Sequence, residues 1–266
     1  MSAKRELNVG ETIKHISSDQ VARHFTAGAQ TYSLGAQLQH AVANALLNKI
    51  PKDQKNVGLD LGCGPGLFSQ PLNKFASTVL SVDLSMAMLK KHPVQTNKIQ
   101  GNSHQLPFKP NKLDWVFSSL MIQWCDFEQV TQQVYEGLKP GGKAYISTLV
   151  EGSLFELEQA WKAVDDDRHI HDYLSIETLV SKINRGQWQQ VSIEQQQNVF
   201  WFDDVKGLAK ELKMLGANYV KNRKNKGLMS KTKWQTMESE YRKRFFNTKR
   251  HAIPATYQVV LLELKK

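Results

Sequence analysis

The stretch Asn56-Val57-Gly58-Leu59-Asp60-Leu61-Gly62-Cys63-Gly64-Pro65-Gly66 decides how this chain is read. Residues 56–61 form a short apolar run bounded by turn residues, the pattern of a buried parallel strand. A G-x-G-x-G turn follows, and a helix is expected from it through Phe75. Glycines allow a tight strand-to-helix turn and let a ligand approach the backbone closely. The spacing alone is weak evidence, but its setting adds to it. Thr78 to Val82 reads as a second strand ending in Asp83, 23 positions after Asp60. A carboxylate in that place can accept two hydrogen bonds from ribose hydroxyls. A dinucleotide fingerprint is G-x-G-x-x-G and faces a pyrophosphate. Here the spacing is shorter and Asp60 precedes the loop. An acid there suits a cationic or amino-bearing ligand and repels a pyrophosphate.

The same alternation extends outward from this stretch. Residues 18–30 and 35–50 read as helices, the second with Leu38, Val42, Ala45, Leu46 and Ile50 as its apolar stripe, closed by Pro51. Ser85 is the expected N-cap of a helix containing Met86, Met88 and Leu89. Residues 113–118 read as a strand and 127–138 as a helix ended by Lys139-Pro140-Gly141-Gly142; 143–149 form the next strand. From Gly152 the pattern is mainly helical, until Thr256-Tyr257-Gln258-Val259-Val260-Leu261-Leu262 gives a strong late strand. The expected fold class is α/β, a doubly wound, mostly parallel sheet in a single domain over 1–266. Its parts are N-terminal helices (1–50), a ligand-binding core (56–150), a helical lid (151–254) and a last antiparallel strand (255–266).

The chain has 266 residues with 41% hydrophobic and 23% charged residues, ordinary for a globular enzyme. Its start has no apolar h-region, and no stretch approaches the length of a membrane span, so a cytoplasmic location is expected. Cys63 and Cys125 give neither a disulfide framework nor metal spacing. His169 and His171 are spaced H-x-H without a supporting Cys or acid cluster, and no metal is expected. The net charge of +10 is unevenly spread. Residues 1–200 hold 19 basic and 19 acidic side chains, whereas 201–250 hold 14 basic and 5 acidic. Lys206, Lys210 and Lys213 share one face of a predicted helix whose other face carries Val205, Leu208, Leu212 and Leu215. A solvated face, a nucleic-acid contact and a docking surface for an acidic protein all remain open on charge alone.

The string Leu59-Asp60-Leu61-Gly62-Cys63-Gly64-Pro65-Gly66 resembles the first motif of class I S-adenosylmethionine (SAM)-dependent methyltransferases. The resemblance continues at Leu106-Pro107-Phe108, at Phe117-Ser118-Ser119-Leu120 and at Leu138-Lys139-Pro140-Gly141-Gly142-Lys143. It implies a SAM site that uses Asp60, Gly62, Cys63, Gly64, Gly66, Asp83, Leu84, Met88, Asn102, Ser103, Ser119 and Leu120. Asn102 stands where the family often has an Asp facing the adenine amino group; its amide keeps an acceptor oxygen.

Finer strings, Met121-Ile122-Gln123-Trp124-Cys125, Gly152-Ser153-Leu154 and Gln159-Ala160-Trp161 through Ala163-Val164-Asp165, resemble the malonyl-acyl-carrier-protein O-methyltransferases of biotin synthesis. That likeness runs from Val21-Ala22-Arg23-His24-Phe25 and Thr31-Tyr32 to the last strand. It implies methyl transfer to the free malonyl carboxylate, with no metal and no general base, and S-adenosylhomocysteine as product. Gln123, Trp124 and Tyr32 are then the candidate positioning residues. Arg223 and Lys224, with Lys206, Lys210 and Lys213, are the candidates for carrier-protein or acyl contacts. Methylation of RNA or of another small carboxylate, and a partner-binding assembly factor on the same fold, are the rival readings.

Overall fold

The computed structural model describes residues 37–52, 57–93, 97–183, 188–214 and 230–266. The helix expected over 18–30, and the candidates Tyr32, Arg223 and Lys224, lie outside the described residues.

Strands β1 (Val57–Leu61), β2 (Thr78–Asp83), β3 (Lys98–Gln100), β4 (Leu113–Ser119), β5 (Leu138–Leu149), β6 (Gln190–Phe202) and β7 (Ile253–Lys265) form one sheet, ordered β3-β2-β1-β4-β5-β7-β6. The first five run parallel, and β7 lies antiparallel between β5 and β6. The expected doubly wound sheet with a late antiparallel strand is what forms. Strand order reverses between β1 and β4, which opens a crevice beyond their C-terminal ends.

Side-chain alternation along the strands builds a core on each face. Trp115, Phe117 and Tyr145 point to one face with Leu38, Val42 and Leu46 of α1 (Gln37–Leu47). Leu157 and Trp161 of α5 (Phe155–Lys162), Leu208 and Leu212 of α7 (Val205–Met214), and Met237 and Tyr241 of α8 (Lys231–Phe245) complete that layer. Leu59, Leu61, Val116 and Ile146 point to the other, under Val130 and Val134 of α4 (Phe127–Gly137) and Leu179 and Ile183 of α6 (Ile176–Ile183). Gly58 lies in register with Trp115, and a Cβ there would fall 2.1 Å from the indole Cζ2. The missing side chain is what lets the tryptophan lie flat against β1.

Three local readings need adjustment. The helix expected from the glycine turn through Phe75 is a single turn, α2 (Ser69–Leu72). Lys74 and Phe75 then bond back to Pro71 and Leu72, three residues earlier, so the segment tightens instead of continuing. The chain from Lys139 to Gly142 bulges between two parts of β5: Leu138 pairs with Leu113, and pairing resumes at Lys143 with Trp115. The segment 151–254 is not wholly helical, because β6 runs for 13 residues at the sheet edge. Its middle, Glu194-Gln195-Gln196-Gln197-Asn198, lacks apolar alternation, and its extended form is set by unbroken pairing with β7. The Ser85 cap is present, with Met88 N donating to its Oγ at the start of α3 (Met86–Lys91).

Candidate functional site: a cleft at the sheet switch point

A cleft opens to solvent at the C-terminal ends of β1, β2 and β4. Its floor is Leu61, Gly62 and Gly64 of the glycine turn. One wall is Val82, Asp83, Leu84, Ser85 and Met88, continued by Gly101 and Ser103 after β3. The opposite wall is Ser119, Leu120, Met121, Trp124 and Cys125 after β4.

Backbone conformation explains the glycines. Gly62, Gly64 and Gly66 all have positive φ, at 76°, 55° and 80°. There L side chains are strained, and close neighbours add a second constraint. A Cβ on Gly62 would sit 2.3 Å from Met121 Cγ, and one on Gly66 would sit 2.5 Å from His92 Cδ2. His92 is itself buried and faces Ser69 Oγ through Nε2 at 2.7 Å. Gly66 thus supports the turn from behind and does not line the cleft.

Asp83 ties the floor to the wall. Its Oδ2 accepts from Gly64 N at 2.8 Å and its Oδ1 from Ser85 N at 2.8 Å. Each oxygen keeps a further lone pair for a ligand. Burial raises the Asp83 pKa, and the two backbone donors oppose that rise. Asp60, one strand away and 4% exposed, has its pKa raised to about 8, first by burial and then by the charge of Asp83. Two carboxyls, Asp60 buried and Asp83 half-buried, make this end of the cleft a place where a cation is stabilising. The Cys63 thiol is pushed up by burial and by the same two acids, so it stays protonated.

The wall after β4 is held by long-range hydrogen bonds. Leu120 has φ 51°, unusual for a non-glycine residue, and its N–H donates to Ser147 O and Ser147 Oγ, each at 3.1 Å. Gln123 Nε2 donates to Leu120 O at 2.7 Å, and Gln123 Oε1 accepts from Thr148 Oγ1 at 3.4 Å. Gln123 therefore turns its amide inward as a brace, whereas Trp124 reaches the cleft. His171 Nε2 donates to Gln123 O at 3.0 Å, and its ring lies 4.6 Å from that of Trp124.

On the β3 side, Asp126 N donates to His104 Nε2 at 2.9 Å, so that nitrogen is the acceptor. His104 Nδ1 then carries the proton and donates to Asn102 Oδ1 at 2.9 Å, which also accepts from His104 N at 3.0 Å. The acceptor oxygen expected to face an adenine is thus engaged by His104, and Asn102 is not among the cleft-lining residues. Ser103 does line it and faces Cys125 Sγ at 3.5 Å.

Of the sequence candidates, Gly62, Gly64, Asp83, Leu84, Met88, Ser103, Ser119, Leu120 and Trp124 come together around the cleft. Asp60, Cys63, Gly66, Asn102 and Gln123 stand behind it. Met121, Cys125, Ser85 and Gly101 line it without having been singled out as ligand contacts. Their sequence signal was position alone, at the ends of predicted strands. Lys206, Lys210 and Lys213 are exposed on the outer face of α7, away from the lining set. No group of three or more His, Cys, Asp and Glu able to hold a metal occurs among the described residues.

The sequence and the fold match known proteins. Residues 59–146 match the family model described as Methyltransferase domain. A malonyl-acyl-carrier-protein O-methyltransferase from Hamiltonella defensa is 32% identical over 258 residues, covering 93% of this chain and 95% of its own. Its counterpart from a Marinomonas species is 30% identical, covering 90% of this chain and 91% of its own. The chain belongs to the malonyl-acyl-carrier-protein O-methyltransferase family. The biotin biosynthesis bifunctional protein BioHC of Cellvibrio japonicus is 32% identical over 94% of this chain, which spans 51% of that longer protein. Among solved structures, the YcgJ protein of Bacillus subtilis superposes with TM-score 0.61 at 13% identity, over 85% of this chain and 98% of its own. A Haemonchus contortus phosphoethanolamine N-methyltransferase bound to S-adenosylhomocysteine gives 0.58 at 17% identity, over 96% of this chain and 61% of its own. These two share the fold. Family and fold together make the chain a SAM-dependent O-methyltransferase. No helix among the described residues is long and apolar enough to cross a membrane.

Proposed function

We propose that this chain methylates the free carboxylate of a malonyl group carried on acyl carrier protein, leaving S-adenosylhomocysteine as product. One observation carries the reading: the cleft wall after β4 presents Leu120, Met121, Trp124 and Cys125, with no ionised side chain among them. Burial pushes the Cys125 thiol up to about 11, so it is no base at neutral pH. An acceptor that is already deprotonated suits such a wall, since none of these four side chains offers a base. A carboxyl with an ordinary pKa of about 4 meets this requirement. The names of the Hamiltonella and Marinomonas relatives support malonyl-acyl carrier protein as its bearer.

SAM fits the chain's own groups and, when bound, supplies an activated methyl group on a sulfonium. Gly62 and Gly64 would cradle its methionine part, with Cys63 and Gly66 shaping the turn from behind. Asp60 would supply negative charge near its ammonium, and Asp83 would accept from the ribose hydroxyls. Leu84, Met88, Ser103 and the Asn102 loop would flank the adenosine, with Ser119 and Leu120 on the facing wall. Trp124 would orient the acceptor and exclude water, with Gln123 holding its turn in place. Tyr32 belongs to the same proposed set.

Carrier docking is assigned to the basic quarter. Lys206, Lys210 and Lys213 are exposed in one stripe of α7, and Arg223 and Lys224 follow in sequence. A basic face attracts an acidic helical partner and raises its association rate in a salt-dependent way. Purified protein, SAM and malonyl-carrier protein should yield a methyl ester detectable by mass spectrometry. Methyl incorporation into RNA, with the malonyl carrier left unchanged, would overturn the assignment.

A further inference from the structure

Beyond the cleft, two polar groups paired across neighbouring strands lie buried without partners, close to a buried carboxyl. Tyr257 on β7 is 2% exposed, and its hydroxyl is buried with no hydrogen bond. Asn198 stands opposite it in register on β6, and its Nδ2 is likewise buried and unpartnered. Residues directly paired across strands project to the same face of a sheet, so the two donors are neighbours. Glu211 on α7 is 6% exposed, and it lies near enough to act electrostatically on the Tyr257 phenol. Burial raises the Glu211 pKa, and it meets no cation among the described residues. Native proteins seldom leave buried polar groups unpaired, because each has lost its water without replacement. Several together call for a ligand.

Their location points to the acceptor side. Val259 pairs with Leu149 at the end of β5, so Tyr257 lies two residues past that end, at the edge where the cleft opens. From the cleft, the rings of Trp124, His171 and Tyr173 follow in succession at 4.6 and 5.0 Å between centroids. Tyr173 in turn acts on the Tyr257 phenol. Glu156, bonded to Thr256 N at 3.1 Å, adds negative charge beside the same phenol. Two acids there oppose a third anion, so a malonyl carboxylate does not belong at this spot. A secondary amide does: its carbonyl can accept from Tyr257 and Asn198, and its N–H can donate to Glu211.

We propose that Tyr257, Asn198 and Glu211 form a subsite for an amide of the pantetheine arm that presents the acyl group. This rests on the carrier-bound acceptor proposed above. The test compares malonyl-pantetheine with malonyl methyl thioester, which has no amide. Tyr257→Phe deletes a hydroxyl that has no partner in the free protein, so Tm should hold or rise. Its kcat/KM on malonyl-pantetheine should fall about tenfold and on the methyl thioester at most about twofold. The KM for SAM should match wild type. Glu211→Leu should repeat the selective loss, and Glu211→Gln, which keeps an acceptor oxygen, should restore most of it. Equal losses on the two substrates, or a lower Tm for Tyr257→Phe, would overturn the subsite while leaving the malonyl reading intact. A wild-type protein inactive on both thioesters and on malonyl-carrier protein would overturn the two together.

Discussion

Replacing Asp60 by Asn should flatten the pH dependence of the unliganded protein's stability. Asp60 has a pKa raised from 3.8 to about 8, with burial the larger cause and the Asp83 charge the second. Between those values the folded state holds one proton more than the unfolded chain. Stability therefore falls as pH rises, with a slope approaching about 1.4 kcal/mol per pH unit. The contribution is complete below about pH 4 and is lost as pH climbs through about 8. From about pH 6 to about pH 8 the loss comes to about 2 kcal/mol, since the slope fades near the folded pKa. Asn has nearly the same shape and no proton to lose, so the variant lacks this component. Urea unfolding of both proteins without SAM, across that pH window, gives the comparison. Wild type should lose about 2 kcal/mol more than Asp60→Asn. Parallel profiles would mean that Asp60 is ionised throughout, and the burial argument would be wrong.

Other variants probe separate parts of the site. Gly66→Ala combines a φ of 80° with a Cβ 2.5 Å from the His92 ring, and should cost about 2–4 kcal/mol in chemical denaturation. In a His92→Ala background only the conformational part should remain, about 1–2 kcal/mol, and an undiminished cost would exclude the steric account. Asp83→Ala removes the acceptor of Gly64 N and Ser85 N and should weaken SAM binding about tenfold or more by calorimetry. An affinity within about twofold of wild type would remove Asp83 from the site. Reversing Lys206, Lys210 and Lys213 to Glu should slow turnover of malonyl-carrier protein more than of a small malonyl thioester, with the gap closing at high salt. Equal loss on both substrates would argue against a docking face.

Much of the cofactor end was legible residue by residue, because its requirements are local. Gly62, Gly64 and Gly66 are demanded by left-handed backbone within one turn, and Asp83 by its place at the end of the next strand. Ser85 announces a helix start through its own hydroxyl. The acceptor side was less legible. Gln123 looked like a group facing the substrate, yet its amide is drawn inward to Leu120 O and Thr148. Trp124 owes its position to a partner as distant as His171, which also bonds Gln123 O, 48 residues away. β6 is illegible in the sequence for a related reason: a Gln/Asn-rich middle carries no alternation, and its strand form comes from β7.

The sequence by itself determined the parallel sheet, the glycine turn, the acid at the end of β2 and the uneven charge of the chain. Each depends on spacing along one or two elements, where backbone geometry restricts which residues are tolerated. The tertiary structure alone decided which polar groups are satisfied. It turned Asn102 toward His104, closed Gln123 into a brace, and left the Tyr257 hydroxyl and the Asn198 amide nitrogen buried without partners. Burial and pairing join residues far apart in the chain, and no local pattern records them.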